Sequence, residues 1–380
     1  MKTKHLSLLI KPASSLCNLR CKYCFYHDVA DNRDVKSHGI MTKEIVDILI
    51  ENVVNSTEKS INFAFQGGEP TLAELDYFDY FTKQVKKKIS DKKIQVNYSI
   101  QTNGVNITKE FVEFFKENNF LVGLSLDGIK DINDFFRVDA SGEGTHGKIL
   151  KISKLFDKYT VDYNILTVIT SQTAKHIEKI YNYYKNQGFK YLQFIPCLEP
   201  LGQTPFTENY SLTLELYEKF LINLFRLWYN DLMNDKYISI RFFDNLTRIA
   251  AGYPSEQCGT LGFCDGYFVI ESDGSVYPCD FYCVDDWKIG NIRDMSFEEL
   301  IESPNMLKFR ETSLYANYSD MERKKCESCE VFYLCKGGCR RDRDNQTDGH
   351  AGENIYCGTL RNFYLYAEPY LQNIIKKINL

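Results

Sequence analysis

Three cysteines near the start of the chain stand at a spacing that suits metal binding. Cys17, Cys21 and Cys24 form a Cys-x3-Cys-x2-Cys run, which is followed by Phe25 and Tyr26. Structural zinc sites take four ligands, usually from two short knuckles, whereas this run offers three thiols in one loop. An iron–sulfur cubane normally takes four cysteines, so three thiolates would leave one iron open to an external ligand. The run therefore predicts a cluster with an open iron, with a structural zinc site as the alternative.

A second group of cysteines lies in the last third of the chain. It contains nine of the thirteen cysteines, namely Cys258, Cys264, Cys279, Cys283, Cys326, Cys329, Cys335, Cys339 and Cys357. Cys-x2-Cys is also a common zinc knuckle, so a zinc ribbon is the alternative here. The odd cysteine total argues against a fully paired disulfide framework. Both groups together predict that the cysteines bind metal.

Composition and charge narrow the class of protein. The chain has 380 residues, 44% of them hydrophobic, and 46 Lys and Arg against 51 Asp and Glu give a net charge of −5. Nothing in this balance indicates nucleic-acid binding. The first residues lack a signal-peptide pattern, and no apolar run approaches the roughly 18 residues that span a bilayer. We therefore expect a cytoplasmic protein without a membrane partner, in a compartment that keeps thiols reduced.

Between residues 6 and 198, short apolar runs alternate with segments of helical period. The predicted strands are residues 6–10, 61–66, 95–102, 121–127, 162–170 and 191–197. The predicted helices are residues 43–54, 75–89, 108–119, 146–159 and 175–187. This alternation predicts an α/β fold with a parallel sheet and right-handed crossovers. Six such units suffice for a partial (β/α)6 TIM-like barrel, short of the eight units of a complete one.

After residue 198 the pattern changes. A long amphipathic helix is predicted over 212–233, and the alternation stops by residue 257. A hairpin is predicted over 267–279 around Asp273-Gly274, with a short helix at 296–303 and a terminal helix at 362–378. We therefore predict two domains, a barrel domain over 1–240 that includes the long linking helix, and a cysteine-rich domain over 241–380.

The cysteine run at the mouth of a βα barrel resembles the radical S-adenosylmethionine (SAM) superfamily. In that superfamily the amino and carboxylate groups of SAM chelate the open iron, so the resemblance implies SAM as a cofactor. The segment Gln66-Gly67-Gly68-Glu69-Pro70 is similar to the superfamily's GGEP segment, where glycine lets the backbone approach the methionine amino group. The same resemblance implies that the residues in contact with SAM are Tyr23, Gly68, Ser125, Arg137 and Leu198.

The C-terminal cysteines resemble the SPASM signature, an extension found in peptide-modifying radical SAM enzymes. This resemblance implies two auxiliary 4Fe–4S clusters and, with the SAM-binding cluster, three in all. The implied ligands of the first auxiliary cluster are Cys258, Cys264, Cys279 and Cys339, and those of the second are Cys326, Cys329, Cys335 and Cys357. Cys197 and Cys283 remain unassigned. Cys197 is expected to be a small buried residue, and an exchange of ligand role between Cys279 and Cys283 stays open.

Segments along the whole chain resemble the anaerobic sulfatase-maturating enzymes. They are residues 7–15, 24–27, 63–71, 101–104, 271–282 and 335–341. The resemblance implies a post-translational oxidation of a cysteine or serine in a sulfatase to Cα-formylglycine. A 5′-deoxyadenosyl radical would remove a Cβ hydrogen, Asp280 would be the catalytic base, and the second electron would leave through the cluster beside Asp280. A carboxylate with an ordinary pKa near 3.9 accepts protons at neutral pH unless burial raises that pKa.

The resemblance also implies the partners. The substrate is expected to be an unfolded sulfatase peptide with a Cys/Ser-x-Pro-x-Arg motif, because the target side chain must reach a radical inside a barrel. Tyr26, Gln66, Gln101 and Asn103 lie at predicted strand ends, and we expect them to bind the peptide backbone. The electron donor would be a protein such as flavodoxin or ferredoxin, and the enzyme is expected to be a monomer.

Two other functions compete with this one. The first is that of a SPASM peptide maturase, which would form a thioether or an epimer in a ribosomally made peptide. Such maturases usually carry an N-terminal peptide-recognition domain, and only a few residues precede the first predicted strand here. The second is that of a zinc-binding interaction protein without catalysis. The sequence does not decide between cysteine and serine targets, nor does it identify the sulfatase or the reductant.

Overall fold

A computed structural model of the chain describes residues 3–264, 267–314, 319–344 and 352–378. Its strands are β1 (Thr3–Ile10), β2 (Thr57–Phe65), β3 (Gln95–Thr102), β4 (Phe120–Ser125), β5 (Tyr163–Ile169), β6 (Tyr191–Pro196), β7 (Ser239–Ile240), β8 (Phe268–Ile270), β9 (Ser275–Tyr277) and β10 (Gly290–Asn291). The six strands predicted between residues 6 and 198 are all present, within a few residues of the predicted bounds. The β8–β9 hairpin is also confirmed, with Asp273 and Gly274 in its turn.

The α-helices follow most strands in turn. They are α1 (Phe25–Asp31), α2 (Lys43–Ser56), α3 (Glu74–Ile89), α4 (Lys109–Glu117), α5 (Lys130–Phe136), α6 (His146–Tyr159), α7 (Ser171–Lys175), α8 (Ile177–Gln187), α9 (Leu214–Met233), α10 (Arg241–Ala250), α11 (Phe297–Ile301), α12 (Pro304–Ser313), α13 (Asp320–Glu327), α14 (Phe332–Cys335) and α15 (Cys357–Ile378). Threonine side chains cap the starts of α2, α4 and α9 and satisfy backbone N–H groups there.

The described chain divides into two compact units. The first consists of residues 1–126, 133–164 and 266–308, and the second of residues 127–132, 165–265 and 309–380. The predicted domain boundary after residue 240 follows the sequence patterns and stays a prediction. The two units group the chain differently, because residues 266–308 belong to the same unit as residues 1–126.

In the first unit, β1, β2, β3 and β4 lie side by side and are parallel. Their pairing stacks aromatic side chains across the sheet: Phe63 lies opposite Tyr98, and Tyr98 lies opposite Phe120 with the rings 5.1 Å apart. Aromatic pairs at such distances add to the energy of burial alone. The parallel order and the intervening helices confirm the predicted α/β class.

The hairpin β8–β9 extends the sheet of this first unit. β8 pairs in parallel with β1, so that Leu8 lies opposite Phe268 and Ile10 lies opposite Ile270, while β9 and β10 continue the sheet as antiparallel strands. The backbone N–H of Lys11 donates to the carbonyl of Ile270 at 2.9 Å. This pairing brings Glu271, directly after β8, beside Lys11, directly after β1, although about 260 residues separate them along the chain.

The second unit contains the parallel strands β5, β6 and β7 and a group of packed helices. Phe225 of α9 lies 5.7 Å from Phe363 of α15, ring centre to ring centre, and the indole of Trp228 donates to the carbonyl of Ile238. The terminal helix α15 begins five residues before the predicted start, at Cys357. Within the described ranges, no helix is both long enough and apolar enough to cross a membrane.

Candidate functional site

The loop that carries the first three cysteines follows β1 directly. The backbone N–H of Leu19 points at the Cys17 sulfur at 3.3 Å, and Cys24 is the N-cap of α1. The loop is fastened to the segment after α5, since Arg20 and Lys22 donate backbone hydrogen bonds to the carbonyls of residues 138 and 136. All three thiols are partly accessible. The loop therefore presents three thiols together at the carboxyl end of a parallel strand, the edge where α/β folds bind ligands.

The three thiols suit an iron–sulfur cluster by number and chemistry. Burial, together with the negative charges of Glu69, Cys21 and Cys24, raises the pKa of Cys17 to about 12 against the opposing effect of the Leu19 N–H. Thiols that oppose one another's ionisation in this way are suited to a shared cationic metal centre, which binds them as thiolates. Over the described residues, no three or more Cys, His, Asp or Glu side chains converge as a closed set of ligands. The fit therefore rests on the donor type, the number of thiols and their shared loop.

The glycine turn after β2 packs against this cysteine loop. Gly67 and Gly68 have φ angles of +106° and +54°, and a Cβ on Gly68 would lie 2.2 Å from the carbonyl oxygen of Leu16. The following Glu69 donates its backbone N–H to the same carbonyl at 2.8 Å. Only glycine fits such a close approach of two backbones. The turn thus leaves backbone groups next to the three thiols, where the methionine part of SAM is expected.

The buried carboxylate of Glu69 holds the ends of β2 and β3 together. Its Oε1 accepts hydrogen bonds from the N–H and hydroxyl of Thr71 and from the hydroxyl of Thr102, and its Oε2 accepts from the N–H of Asn103. Burial raises the pKa of Glu69, although these four donors lower it. Asn103 in turn donates to the side chain of Asn18 in the cysteine loop at 2.8 Å. The cysteine loop and two strand ends therefore form one hydrogen-bonded frame.

Two of the residues expected to bind SAM are in direct contact. The guanidinium of Arg137 donates to the hydroxyl of Tyr23 at 3.0 Å, and both side chains are buried. Ser125 is buried at the end of β4, in the same unit. Leu198 is half-buried two residues after β6 and belongs to the second unit. The structure brings Tyr23 and Arg137 together, and the individual SAM contacts stay predictions.

Asp280 is buried immediately after the β8–β9 hairpin. Its Oδ2 accepts a hydrogen bond from the hydroxyl of Tyr26 at 2.6 Å and one from the amide of Gln66 at 3.3 Å. Its Oδ1 is buried and has no hydrogen-bond partner among the described residues. Burial raises the pKa of Asp280 to about 6, and the ammonium of Lys11 and the hydroxyl of Tyr26 oppose that rise. One oxygen is thus held by the protein and the other is left for a proton donor.

A buried ionic network lies behind Asp280. The carboxylate of Glu271 pairs with the ammonium of Lys11 at 3.1 Å and with the guanidinium of Arg33 at 2.6 Å, and all three side chains are at most 2% exposed. Burial would raise the pKa of Glu271, but the two cations lower it to about 2. The ammonium of Lys11 also lies 5.7 Å from the ring centre of Tyr26. The network places a fixed positive charge, that of Lys11, close to the carboxylate of Asp280.

Four side chains were expected to bind the peptide backbone, and two of them have another role in the structure. Tyr26 and Gln66 hydrogen-bond to each other at 2.6 Å and to Asp280, so they orient that carboxylate. Asn103 uses its side chain within the frame around Glu69, where its Oδ1 accepts from the N–H of Val105. Gln101 lies in β3 as predicted. Peptide binding by these four residues stays a prediction.

Four of the C-terminal cysteines line one cavity in the second unit. Cys326, Cys329, Cys335 and Cys357 surround a volume of about 280 Å³. Burial raises the pKa of Cys335 to about 11 and that of Cys357 to about 12. Four thiols around one cavity form the donor set that a 4Fe–4S cluster takes. Their number and arrangement fit the second auxiliary cluster.

The other implied ligand set is divided between the two units. Cys258, Cys264 and Cys339 belong to the second unit, and Cys279 belongs to the first. Within the second unit, a Cβ on Gly259 would lie 3.9 Å from the Cβ of Cys339. The implied first auxiliary cluster therefore stays a prediction.

The two unassigned cysteines are buried. Cys197 is 4% exposed at the end of β6, which confirms the expected small buried residue. Cys283 is inaccessible, its thiol lies 3.7 Å from the carbonyl oxygen of Cys279, and burial raises its pKa to about 12. The Cys279 thiol is partly accessible, whereas the Cys283 thiol is fully enclosed and already donates to a backbone carbonyl. Its position therefore favours Cys279 as the ligand of the pair.

Sequence reasoning missed the ionic network of Lys11, Arg33 and Glu271. The segments that contain Lys11 and Glu271 were recognised, but neither residue received a role. The one signal in the sequence was a lysine directly after an apolar strand, in Ile10-Lys11-Pro12. Glu271 lay within the predicted hairpin over 267–279, which assigned it no partner. Their pairing depends on the contact between β1 and β8, which no local pattern reveals.

Comparison with known proteins places these features in context. Residues 12–184 match the radical SAM superfamily, and residues 263–330 match an iron–sulfur cluster-binding domain of the SPASM type. A cysteine-type anaerobic sulfatase-maturating enzyme of Clostridium perfringens is 47% identical over 373 residues, which cover 98% of this chain and 99% of the relative. A serine-type enzyme of Bacteroides thetaiotaomicron is 28% identical, over 99% of this chain and 92% of that relative.

A solved structure extends the comparison to the fold. Native anSMEcpe with bound AdoMet and the Cp18Cys peptide aligns with a TM-score of 0.92 and 46% identity. The alignment covers 98% of this chain and 99% of that one. The likeness therefore includes the segments on both sides of the predicted domain boundary.

Proposed function

The chain belongs to the anaerobic sulfatase-maturating enzymes, and we propose that it oxidises a cysteine or serine of a sulfatase peptide to Cα-formylglycine. The observation that carries this proposal is the arrangement of Asp280. A buried carboxylate with one oxygen fixed and the other without a partner is poised to accept a proton. Family membership also argues against the alternative function of a zinc-binding interaction protein. It favours sulfatase maturation over the maturation of ribosomal peptides.

The proposed cofactors are SAM and three 4Fe–4S clusters. The SAM-binding cluster would be held by Cys17, Cys21 and Cys24, with SAM contacts from Tyr23, Gly68, Ser125, Arg137 and Leu198. The auxiliary clusters would be held by Cys258, Cys264, Cys279 and Cys339 and by Cys326, Cys329, Cys335 and Cys357. When bound, SAM and its cluster supply the radical that takes a hydrogen atom from the Cβ of the target residue.

A side chain of the protein must then accept the proton of the target thiol. Oxidation of a cysteine side chain to a thioaldehyde removes one hydrogen atom, one proton from the thiol and one further electron, for which an auxiliary cluster would be the acceptor. Water then hydrolyses the thioaldehyde to the aldehyde and releases hydrogen sulfide. We assign the thiol proton to Oδ1 of Asp280. Tyr26 and Gln66 hold Oδ2, and their hydrogen bonds keep Oδ1 in a fixed direction. The Lys11 ammonium favours the ionised carboxylate before the transfer.

Cysteine is the target that the comparisons support better. The cysteine-type relative is 47% identical and the serine-type relative 28% identical over similar shares of the chain. The solved relative has a peptide named Cp18Cys bound. We propose a substrate motif of the Cys-x-Pro-x-Arg type in an unfolded segment. A flavodoxin or ferredoxin is the proposed electron donor.

The test uses anaerobically reconstituted enzyme, reductant, SAM and a peptide with the Cys-x-Pro-x-Arg motif. Mass spectrometry should show formylglycine at the cysteine. Replacement Asp280→Asn should lower the rate by roughly 10²- to 10⁴-fold, the usual contribution of a general base. Asp286→Asn, at an exposed position on the same segment, is the matched control and should keep the wild-type rate.

Two results would count against the proposal. A thioether or an epimer in place of the aldehyde would assign the chain to the rival class of peptide maturases. Aldehyde formation at the wild-type rate by the Asp280→Asn enzyme would remove Asp280 from the role of base.

A further inference from the structure

The carboxylate of Glu199 is buried with half of its hydrogen-bonding capacity unused. Glu199 is 8% exposed and lies three residues after β6. Its Oε2 accepts from the backbone N–H of Phe206 at 3.1 Å and from the hydroxyl of Ser211 at 2.9 Å. Its Oε1 is buried and lacks a hydrogen-bond partner in the described part of the chain. A buried acceptor without a donor is costly, so this oxygen is suited to a partner that arrives from outside.

A second carboxylate and three aromatic rings accompany Glu199 in the second unit. The hydroxyl of Tyr356 lies in the electrostatic field of both Glu199 and Asp342. The Tyr356 ring packs edge-on against Phe206 at 5.9 Å and against Tyr217 at 5.0 Å. Burial raises the pKa of Asp342 to about 6. We call Glu199, Asp342, Phe206, Tyr217 and Tyr356 the carboxylate–aromatic cluster.

The charge of this cluster is only partly compensated. Among the described residues, Arg341 is the cation that lowers the pKa of Asp342 against the effect of burial. Its Nη2, however, donates to the backbone carbonyl of Glu199 at 2.7 Å and not to the carboxylate. Together, the carboxylates of Glu199 and Asp342 and the guanidinium of Arg341 carry a net charge of −1. The cluster therefore has both an unused acceptor atom and a charge that favours a cation.

We propose that the carboxylate–aromatic cluster binds a cationic side chain of the peptide substrate, a guanidinium by preference. This inference rests on the proposed function and names the recognition site for the arginine of the Cys-x-Pro-x-Arg motif. A planar guanidinium can donate to Oε1 of Glu199 while its face lies on an aromatic ring. A metal ion would need three or more converging ligands, and the carboxylate–aromatic cluster offers two carboxylates, those of Glu199 and Asp342.

The isosteric replacement Glu199→Gln isolates this role. The amide oxygen of glutamine can keep the hydrogen bonds from Phe206 and Ser211, and its amide nitrogen then replaces the unpartnered Oε1. The variant therefore removes the charge and the free acceptor while the loop keeps its internal bonds. Asp342→Asn is a second variant that leaves Glu199 intact. Glu215→Gln, at an exposed position in α9, is the matched control.

The experiment measures peptide binding by the cluster-loaded enzyme with SAM. Two labelled peptides are compared by fluorescence anisotropy, one with the Cys-x-Pro-x-Arg motif and one with neutral citrulline in place of arginine. Wild-type enzyme and the Glu215→Gln variant should bind the arginine peptide roughly 10- to 100-fold more tightly than the citrulline peptide. This is the range that one hydrogen bond to a charged group contributes. The Glu199→Gln variant should lose most of that preference, and the Asp342→Asn variant should reduce it. In turnover assays the KM for the arginine peptide should change in parallel, while kcat stays near the wild-type value.

Binding and turnover separate the two proposals. If wild-type enzyme binds both peptides equally, or if Glu199→Gln and Asp342→Asn both keep the full preference for arginine, the cluster is not the recognition site. If the arginine preference is present and sensitive to Glu199 but no formylglycine forms in either peptide, the recognition site stands and the proposed reaction is wrong.

Discussion

The buried network of Lys11, Arg33 and Glu271 makes a quantitative prediction about stability. Replacement Glu271→Gln keeps the shape of the side chain but leaves two buried cations without their counter-ion. The carboxylate's pKa is about 2 in the fold against an ordinary value of 4.5, and this difference corresponds to about 3 kcal/mol at neutral pH. Removal of one partner from a buried ion pair typically costs about 3–5 kcal/mol. We therefore expect the free energy of unfolding to fall by roughly 3 kcal/mol or more.

The measurement is a urea titration of anaerobically reconstituted protein at pH 7, followed by far-ultraviolet circular dichroism. Glu113→Gln is the matched control, because Glu113 pairs with Lys109 at 3.2 Å on an exposed helix face. Exposed pairs of this kind contribute about 0–1 kcal/mol. The slope of the titration should be the same for the three proteins if only stability differs.

The pH dependence gives a second check on the same reasoning. The folded pKa of Glu271 is depressed, so its contribution is fully present above pH 4.5 and is lost as the pH falls towards 2. The difference between wild type and Glu271→Gln should shrink over that interval. A change at pH 7 as small as that of the Glu113→Gln control would refute the argument, because it would mean that Lys11 and Arg33 do not depend on this carboxylate.

Two further predictions concern the cofactor sites. Gly68→Ala should weaken SAM binding at least about tenfold, because the new Cβ would lie 2.2 Å from the carbonyl oxygen of Leu16. Equilibrium dialysis measures the affinity for SAM. The control Gly142→Ala, whose new Cβ would have no atom within 4 Å, should bind SAM normally. Equal binding by both variants would contradict the close approach. Cys283→Ala should keep the full iron content, because this thiol is fully buried and donates to the carbonyl of Cys279, whereas Cys279→Ala removes a partly accessible thiol and should lose iron. Iron analysis and the visible spectrum of the two variants distinguish these outcomes. Loss of iron from the Cys283→Ala variant would show that Cys283 is a cluster ligand.

The elements of the fold were predictable because their signals are local. Strand β3 and helix α6 have the bounds that the apolar periodicity predicted, and a threonine cap sets the start of α2. Shorter elements were missed, among them α1, directly after Cys24, and α10. The seven residues of α1 are too few for a period to appear, and both helices start at residues whose side chains make no capping hydrogen bond. Tertiary packing forms such elements where propensity alone does not.

The sequence by itself determined the chemistry of this protein. Residue type and spacing identified the three-thiol loop, the glycine turn and the family, because those features lie within short stretches of chain. Only the tertiary structure decided the surroundings of Asp280. The hydroxyl that holds this carboxylate comes from Tyr26, 254 residues away, and the nearby cation comes from Lys11. Both contacts depend on the pairing of β1 with β8, and burial sets the energies of the groups there. A linear sequence contains neither a long-range pairing nor the loss of solvent that it causes.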